Sequence, residues 1–293
     1  MKKTEKFQKG LLYMAFCYLI WGFQPLYFAL DQKIDTAFLL AGRIVWAAVS
    51  CLLILKVQGK LGELTEIFQN KEIMKREIPA SFLLLADWTI YLIGIRTGRV
   101  MECSMGYYIM PLVMVMFGAL LYREKLAVMN YVAIGCIIVG IILSYKGFGG
   151  FPVITISLSL AFAVYSAIKK GLTVDSIVST TSEILMMLPF ALIFVLFFRM
   201  RENGMEGVTF SRQLFIIGSG LVTGLPMVFF AKGLSGIPLS FTGILQYVSP
   251  SLGILCSLIL GESFTVEKLR SFLFIWVGVI VYTVFEIRSK RKE

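Results

Sequence analysis

The sequence predicts an all-α integral membrane protein of about ten transmembrane helices, built as two inverted five-helix repeats around a central cavity. Three observations point there. Apolar residues make up 58% of the 293 and the mean hydropathy is +0.82, whereas a soluble domain holds roughly 45–50% apolar residues even with glycine counted. The apolar residues fall in separate runs long enough to cross a bilayer. The two halves of the chain carry related motifs at corresponding places.

A helix needs about 20 mostly apolar residues to cross roughly 30 Å of hydrocarbon. That rule gives spans at 11–30, 36–57, 78–96, 103–122, 128–146, 152–169, 180–199, 213–231, 239–260 and 270–287. The 26 glycines suit close helix packing in lipid. The N-terminal MKKTEKFQKG followed by an apolar run has the layout of a secretory signal. Its run from Leu11 to Leu30 is too long for a signal core, so it reads as a retained first helix. Between the second and third spans, Leu61, Leu64, Ile67 and Phe68 share one helical face. This interval reads either as an amphipathic helix in the headgroup plane or as a solvated loop.

The net charge of +10 does not imply a nucleic-acid partner, because the 28 basic residues sit in short bursts between apolar runs. They serve orientation in a membrane instead. With the N-terminus inside, 18 Lys and Arg fall on inner segments and 9 on outer ones. This excess puts both termini in the cytoplasm, although Arg96, Arg99, Arg199, Arg201 and Arg212 lie on the opposing side.

The five cysteines have no pairing or CxxC spacing, and the chain contains no histidine. His-ligated metals, HExxH chemistry and Ser-His triads are therefore excluded, and any proton coupling must use carboxylates. No GxxxxGK[ST] phosphate loop is present. Neither a nucleophile elbow nor a metal cluster supports an enzyme, and no cofactor is implied. The sequence reads as a carrier of a small solute driven by protons, another ion gradient or none. The alternative is a channel or a non-transporting membrane subunit.

A shift of 139 aligns Tyr108-x-x-Pro111 with Tyr247-x-x-Pro250 and places Gly94 on Gly233. A shift of 144 brings Trp21-Gly22 onto Tyr165-Ser166. Five spans per half is an odd number, so the second half enters the membrane upside down.

Tyr18-Leu19-Ile20-Trp21-Gly22 with Pro25 and Tyr27, Arg43-Ile44-Val45-Trp46, Ser104 through Leu112, Gln246-Tyr247 with Pro250, and Phe274-Ile275-Trp276 together resemble the EamA family. This family belongs to the drug/metabolite transporter superfamily, and the likeness is greatest to its RarD-like members. It covers essentially the whole chain, with one EamA-like repeat over 1–147 and a second over 148–293. It implies a plasma-membrane carrier that exports metabolites or drug-like solutes. RarD-like proteins tend to have Asn before the third-span Trp, whereas this chain has Asp87.

Ionisable side chains inside lipid cost about 2.5–3.5 kcal/mol near a helix centre and usually face an interior. Arg43, Asp87 and Glu183 stand in spans two, three and seven. At 1.5 Å per residue, Arg43 lies roughly 10 Å from the outer face and Asp87 roughly 13 Å from the inner face. Asp87 is therefore the better candidate partner for Arg43. Trp21, Trp46, Trp88, Tyr91, Tyr107, Tyr108, Tyr165 and Tyr247, with Gln24 and Gln246, offer stacking faces and polar tips for a cavity, or else packing and an interfacial belt. Pro111 and Pro250 are expected mid-span, where each removes a backbone hydrogen bond and bends its helix. Lys169, Lys170, Glu124 and Glu262 fall at span ends as anchors or caps.

Overall fold

The computed structural model describes residues 2–122, 126–200, 209–234, 237, 242 and 244–290. Within these residues the regular elements are helices: α1 (Lys2–Ala29), α2 (Thr36–Gln58), α3 (Leu61–Gln69), α4 (Lys71–Arg96), α5 (Val100–Tyr122), α6 (Val128–Gly147), α7 (Val153–Lys169), α8 (Ser176–Met200), α9 (Phe210–Leu234), α10 (Val248–Ile259) and α11 (Val266–Lys290). Arg123, Glu124, Lys125, Arg201 and the terminal residues Met1 and Glu293 lie outside the described residues, as does the side chain of Arg199.

Eight of these helices are long and apolar enough to cross a membrane, and α7 and α10 are shorter apolar helices. The chain is thus a multi-pass membrane protein. Leu12, Leu53, Phe82, Ile142, Phe190 and Ile280 are exposed on its outer surface. In water, such a belt would be an aggregation surface.

Local chemistry sets the boundaries. Asp35 caps α2 by accepting from the Phe38 amide at 2.9 Å, and α2 ends at Gly59, whose φ of 70° suits a residue without Cβ. Asn70 accepts from the Glu72 and Ile73 amides at 3.0 and 3.2 Å. These bonds start α4 at Lys71, earlier than the apolar run that begins at 78.

The interval between the second and third spans does contain a helix, α3. Its Leu64 and Ile67 are buried against Leu55, Ile177 and Val178, while Leu61 and Phe68 remain exposed. The inner half of its apolar face therefore packs on protein, chiefly α8.

Pro250 departs from its expected place. The ninth span is interrupted, with a turn at Gln246–Tyr247 before α10 begins at Val248. Pro250 stands in the first turn of α10, where its missing N–H leaves no helix bond unmade. Pro111 lies inside α5 as expected. Both prolines are buried.

α2 packs against α8 and α9, α1 against α9 and α10, α7 against α4 and α5, and α5 against α10. α6 and α11 pair with each other at the α5 side of the bundle.

Candidate functional site

Arg43 faces inward from α2 and is 3% exposed; Asp87 faces inward from α4 and is 6% exposed. The guanidinium carbon of Arg43 sits 4.9 Å from the Phe28 ring centre and 4.4 Å from that of Trp88. Arg43 Nε donates to Thr223 Oγ1 at 2.9 Å. That hydroxyl in turn donates to the Ser219 carbonyl one turn back on α9 at 2.8 Å. Two aromatic faces and one hydroxyl thus hold the cation in place. Its Nη1 has no hydrogen-bond partner, and neither has Asp87 Oδ1. The expected Arg43–Asp87 ion pair does not form: among the described residues, none within 4 Å joins them. Depth arithmetic gives height along a helix but not the direction in which a side chain reaches. Arg43 reaches over Trp88, the neighbour of Asp87, and towards α9.

Arg43 acts electrostatically on Asp87 and the Tyr107 hydroxyl hydrogen-bonds it, while Tyr107 meets Tyr91 edge-on at 5.6 Å. Trp88 and Tyr91 are buried beside them. Trp46 packs where α2 and α9 approach closely at Gly220. Gln24 is buried, and its Nε2 donates to the Val222 carbonyl at 3.2 Å. That carbonyl stands four residues before Pro226, which has no N–H to offer it. Gln24 therefore supplies the bond that Pro226 withholds. Trp21 lies apart from Arg43, packed on Tyr18 and Phe230.

A second group surrounds Tyr108, whose hydroxyl is 2.5 Å from Ser251 Oγ and whose ring stacks on Tyr247. The buried Tyr247 hydroxyl and Trp276 Nε1 make no well-formed hydrogen bond, with Thr283 beside the first and Tyr108 beside the second. Gln246 is half-buried in the turn before α10.

The remaining two candidates, Tyr165 and Glu183, belong to a third group. Glu183 accepts from the Tyr165 hydroxyl at 3.0 Å and from Lys169. Lys169 also bonds Ser179 and lies 3.5 Å from Glu77. Glu77 accepts from Ser179 and, at 2.8 Å, from Ser182. Hydropathy missed Glu77 because it precedes the apolar run by one residue, and it read Lys169 as an anchor. One available signal was Ser179-x-x-Ser182-Glu183, a polar stripe on one face of an otherwise apolar helix.

The bundle ends are tied by charges at or near the ends of the helices. Asp31 binds Arg212 at 2.7 Å, and Arg96 donates to the carbonyls of Asp31, Gln32 and Ile34. Arg99 pairs with Glu102 at 2.6 Å. Three of the arginines that oppose the charge rule are thus bound to neighbours. Glu262 caps α5 by accepting from the Val100 and Met101 amides. Burial pushes its carboxyl above the usual range, against the pull of those amides and Lys268. At the opposite end, Asp175 Oδ1 accepts from the Ile177 amide at 2.9 Å while Oδ2 binds Lys60 at 2.5 Å. Among the described residues, no group of three or more Cys, Asp and Glu is placed to hold a metal.

This helical bundle with buried polar groups matches the model of the EamA-like transporter family twice, over residues 8–146 and 151–284. The chain belongs to the EamA-like transporter family. It is 33% identical to the uncharacterized transporter YojE of Bacillus subtilis strain 168 over 290 residues, covering 97% of this chain and 96% of that one. It is 25% identical to the protein RarD of Escherichia coli K12, covering 99% and 98% of the two chains. A crystal structure at 16% identity aligns with 95% of this chain and 98% of its own, with a TM-score of 0.64. At that identity the likeness concerns the fold alone. The family and these relatives point to a membrane transporter rather than an enzyme.

Proposed function

We propose that this EamA-family chain is a secondary transporter of the plasma membrane that exports a small metabolite or drug-like solute by alternating access, coupled to an ion gradient. The observation that carries this reading is the buried Arg43–Asp87 pair. Two opposite charges lie in one aromatic-lined region without meeting, and each keeps an unpaired atom. Burying these two polar atoms without partners costs free energy, even though each group is otherwise held. A solute that accepts from Arg43 Nη1 and donates to Asp87 Oδ1 removes that cost, and Trp88, Tyr91 and Tyr107 offer it flat apolar faces. Trp21, Gln24, Trp46, Tyr108, Gln246 and Tyr247 complete the pathway in this reading, with Pro111 and the break before Pro250 bordering it. Tyr165 and Glu183 serve the ion.

In the same reading, residues 1–147 and 148–293 are inverted repeats enclosing a central cavity, with both termini in the cytoplasm. The two separate family matches support this division. So does the packing, because exchanging each first-half span for its second-half equivalent turns α1–α9 into α7–α4 and α1–α10 into α7–α5, and all four contacts exist. Gly94 abuts Ile154, and its counterpart Gly233 abuts Met14. Ile154 and Met14 are themselves 140 residues apart.

The test has two steps. A thermal-shift screen of purified protein against metabolites identifies a solute, and vesicle flux of that solute is then measured. Saturable uptake stimulated by solute preloaded on the far side is the expected result. Flux without saturation or counterflow would indicate a channel. Reporter fusions placing the C-terminus outside would overturn the inverted arrangement.

A further inference from the structure

The carboxylates of Glu77 and Glu183 are both 0% exposed, on two helices that meet in the bundle, and they share one cation, Lys169, whose side chain is 18% exposed. All four carboxylate oxygens are engaged: those of Glu77 by Ser179 and Ser182, those of Glu183 by Lys169 and Tyr165. Among the described residues, no second cation lies within 4 Å of either carboxylate. α7 contributes Tyr165 and Lys169, and Thr180 of α8 faces the Tyr165 hydroxyl. Beside this group, α2 and α3 pack Leu55, Leu64 and Ile67 on Ile177 and Val178 of α8. The nearby charges at the surface are committed elsewhere, Lys60 to Asp175 and Arg76 to the Lys170 carbonyl.

With both carboxylates ionised, the group carries one uncompensated negative charge away from water. An isolated buried charge of this kind costs several kcal/mol after relaxation. Two carboxylates sharing a site relieve this cost by sharing a proton. An alkali ion is the poorer occupant. It needs several free oxygens around it, whereas here every oxygen already accepts a hydrogen bond and an ammonium group stands among them.

We propose that Glu77, Lys169 and Glu183 form a site that holds one proton and joins α4 to α7 and α8. The proton is shared by the two carboxyls, with Ser179, Ser182 and Tyr165 completing its hydrogen bonds. Releasing it leaves a bare negative charge that only water can stabilise, so deprotonation requires this end of the bundle to open. Its service as the coupling ion rests on the transporter reading above, but the site itself stands on charge count alone.

The charge count makes a graded prediction: protons held equal carboxylates minus cations. Infrared difference spectra of the purified full-length protein in lipid nanodiscs, in choline chloride at neutral pH, read the protonated-carboxyl stretch directly. Differences are taken against wild type, so that carboxyls common to all the variants cancel. Glu77→Gln and Glu183→Gln should each lose one carboxyl band, because the remaining carboxylate then matches Lys169. Lys169→Met should gain one, and Lys169→Met combined with Glu183→Gln should return the wild-type intensity. Because one variant loses signal and another gains it, misfolding cannot mimic the pattern. Equal bands in wild type and both Gln variants would overturn the proposal. Loss of the wild-type band when sodium replaces choline would assign the site to an alkali ion instead. The readout needs no solute, so failed flux with an intact band would count against transport and not against the site.

Discussion

Tyr108 of α5 and Tyr247, immediately before α10, stack face to face, with ring centres 5.9 Å apart and planes 14° from parallel. Each opens a Tyr-x-x-Pro motif, and the two motifs lie 139 residues apart in sequence. The motifs that repeat along the chain therefore meet in space. The hydroxyl of Tyr108 is fixed by Ser251, one turn beyond Tyr247.

A stacked pair contributes about 1 kcal/mol beyond its buried area. Tyr108→Leu and Tyr247→Leu should each lower the unfolding temperature, and the double variant should lose less than the sum. Strict additivity in this cycle would mean that the rings are neighbours without coupling.

Gln24 and Pro226 are linked through the Val222 carbonyl. Gln24→Leu leaves that carbonyl buried without a donor, at a cost of about 1 kcal/mol. Pro226→Ala restores an N–H in the helix and should rescue Gln24→Leu. Thermal unfolding of the two single variants and the double variant reads this, and a double variant no more stable than Gln24→Leu would refute the link.

Gly220 allows α9 to touch α2. A Cβ there would stand 2.3 Å from the Trp46 Cβ and 2.4 Å from its carbonyl carbon. Gly220→Ala should cost about 1–3 kcal/mol, since backbone cannot move aside as a flexible side chain can. Gly135→Ala, which meets nothing within 4 Å, should be neutral or slightly stabilising. Similar melting temperatures for the two variants would contradict the packing described.

Asp175 ties the N-terminus of α8 to Lys60. Partial burial pushes its carboxyl up, but the Lys60 hydrogen bond, the two α8 amides and the Lys60 charge outweigh this and hold it below the usual carboxylate range. A depressed folded value means stability that is present above the ordinary value of about 3.9 and lost as pH falls through the lower one. Asp175→Asn should therefore lower the melting temperature at neutral pH and flatten its fall in acid. A fall of wild-type steepness in the variant would exclude this contribution.

The fold was largely legible because lipid enforces a simple rule: long apolar runs become helices. The rule blurred where local chemistry overrode it. Asn70 starts α4 ahead of its apolar run, and a turn at Gln246–Tyr247 breaks a segment that hydropathy reads as continuous. The site was legible in its ionisable members but not in its partnerships. Arg43 and Asp87 stood out by cost, yet Thr223 and Phe28, which hold the guanidinium, look like any other span residues. Glu183 also stood out, but its partners Lys169 and Glu77 fell at span ends, where a charge needs no explanation. Which charge meets which is decided by helix packing, and no pattern along one helix encodes it.

The central claim is that Arg43 and Asp87 receive the solute. Arg43→Lys keeps the charge but loses the planar fork and its stacking on Trp88. Flux of the solute found by thermal shift should be measured for Arg43→Lys, Arg43→Ala and Asp87→Asn at membrane abundance matched to wild type. The account predicts normal insertion and at least tenfold slower flux in all three, corresponding to about 1.4 kcal/mol or more of lost interaction. Wild-type flux in both Arg43 variants would contradict it and leave that arginine a purely structural role.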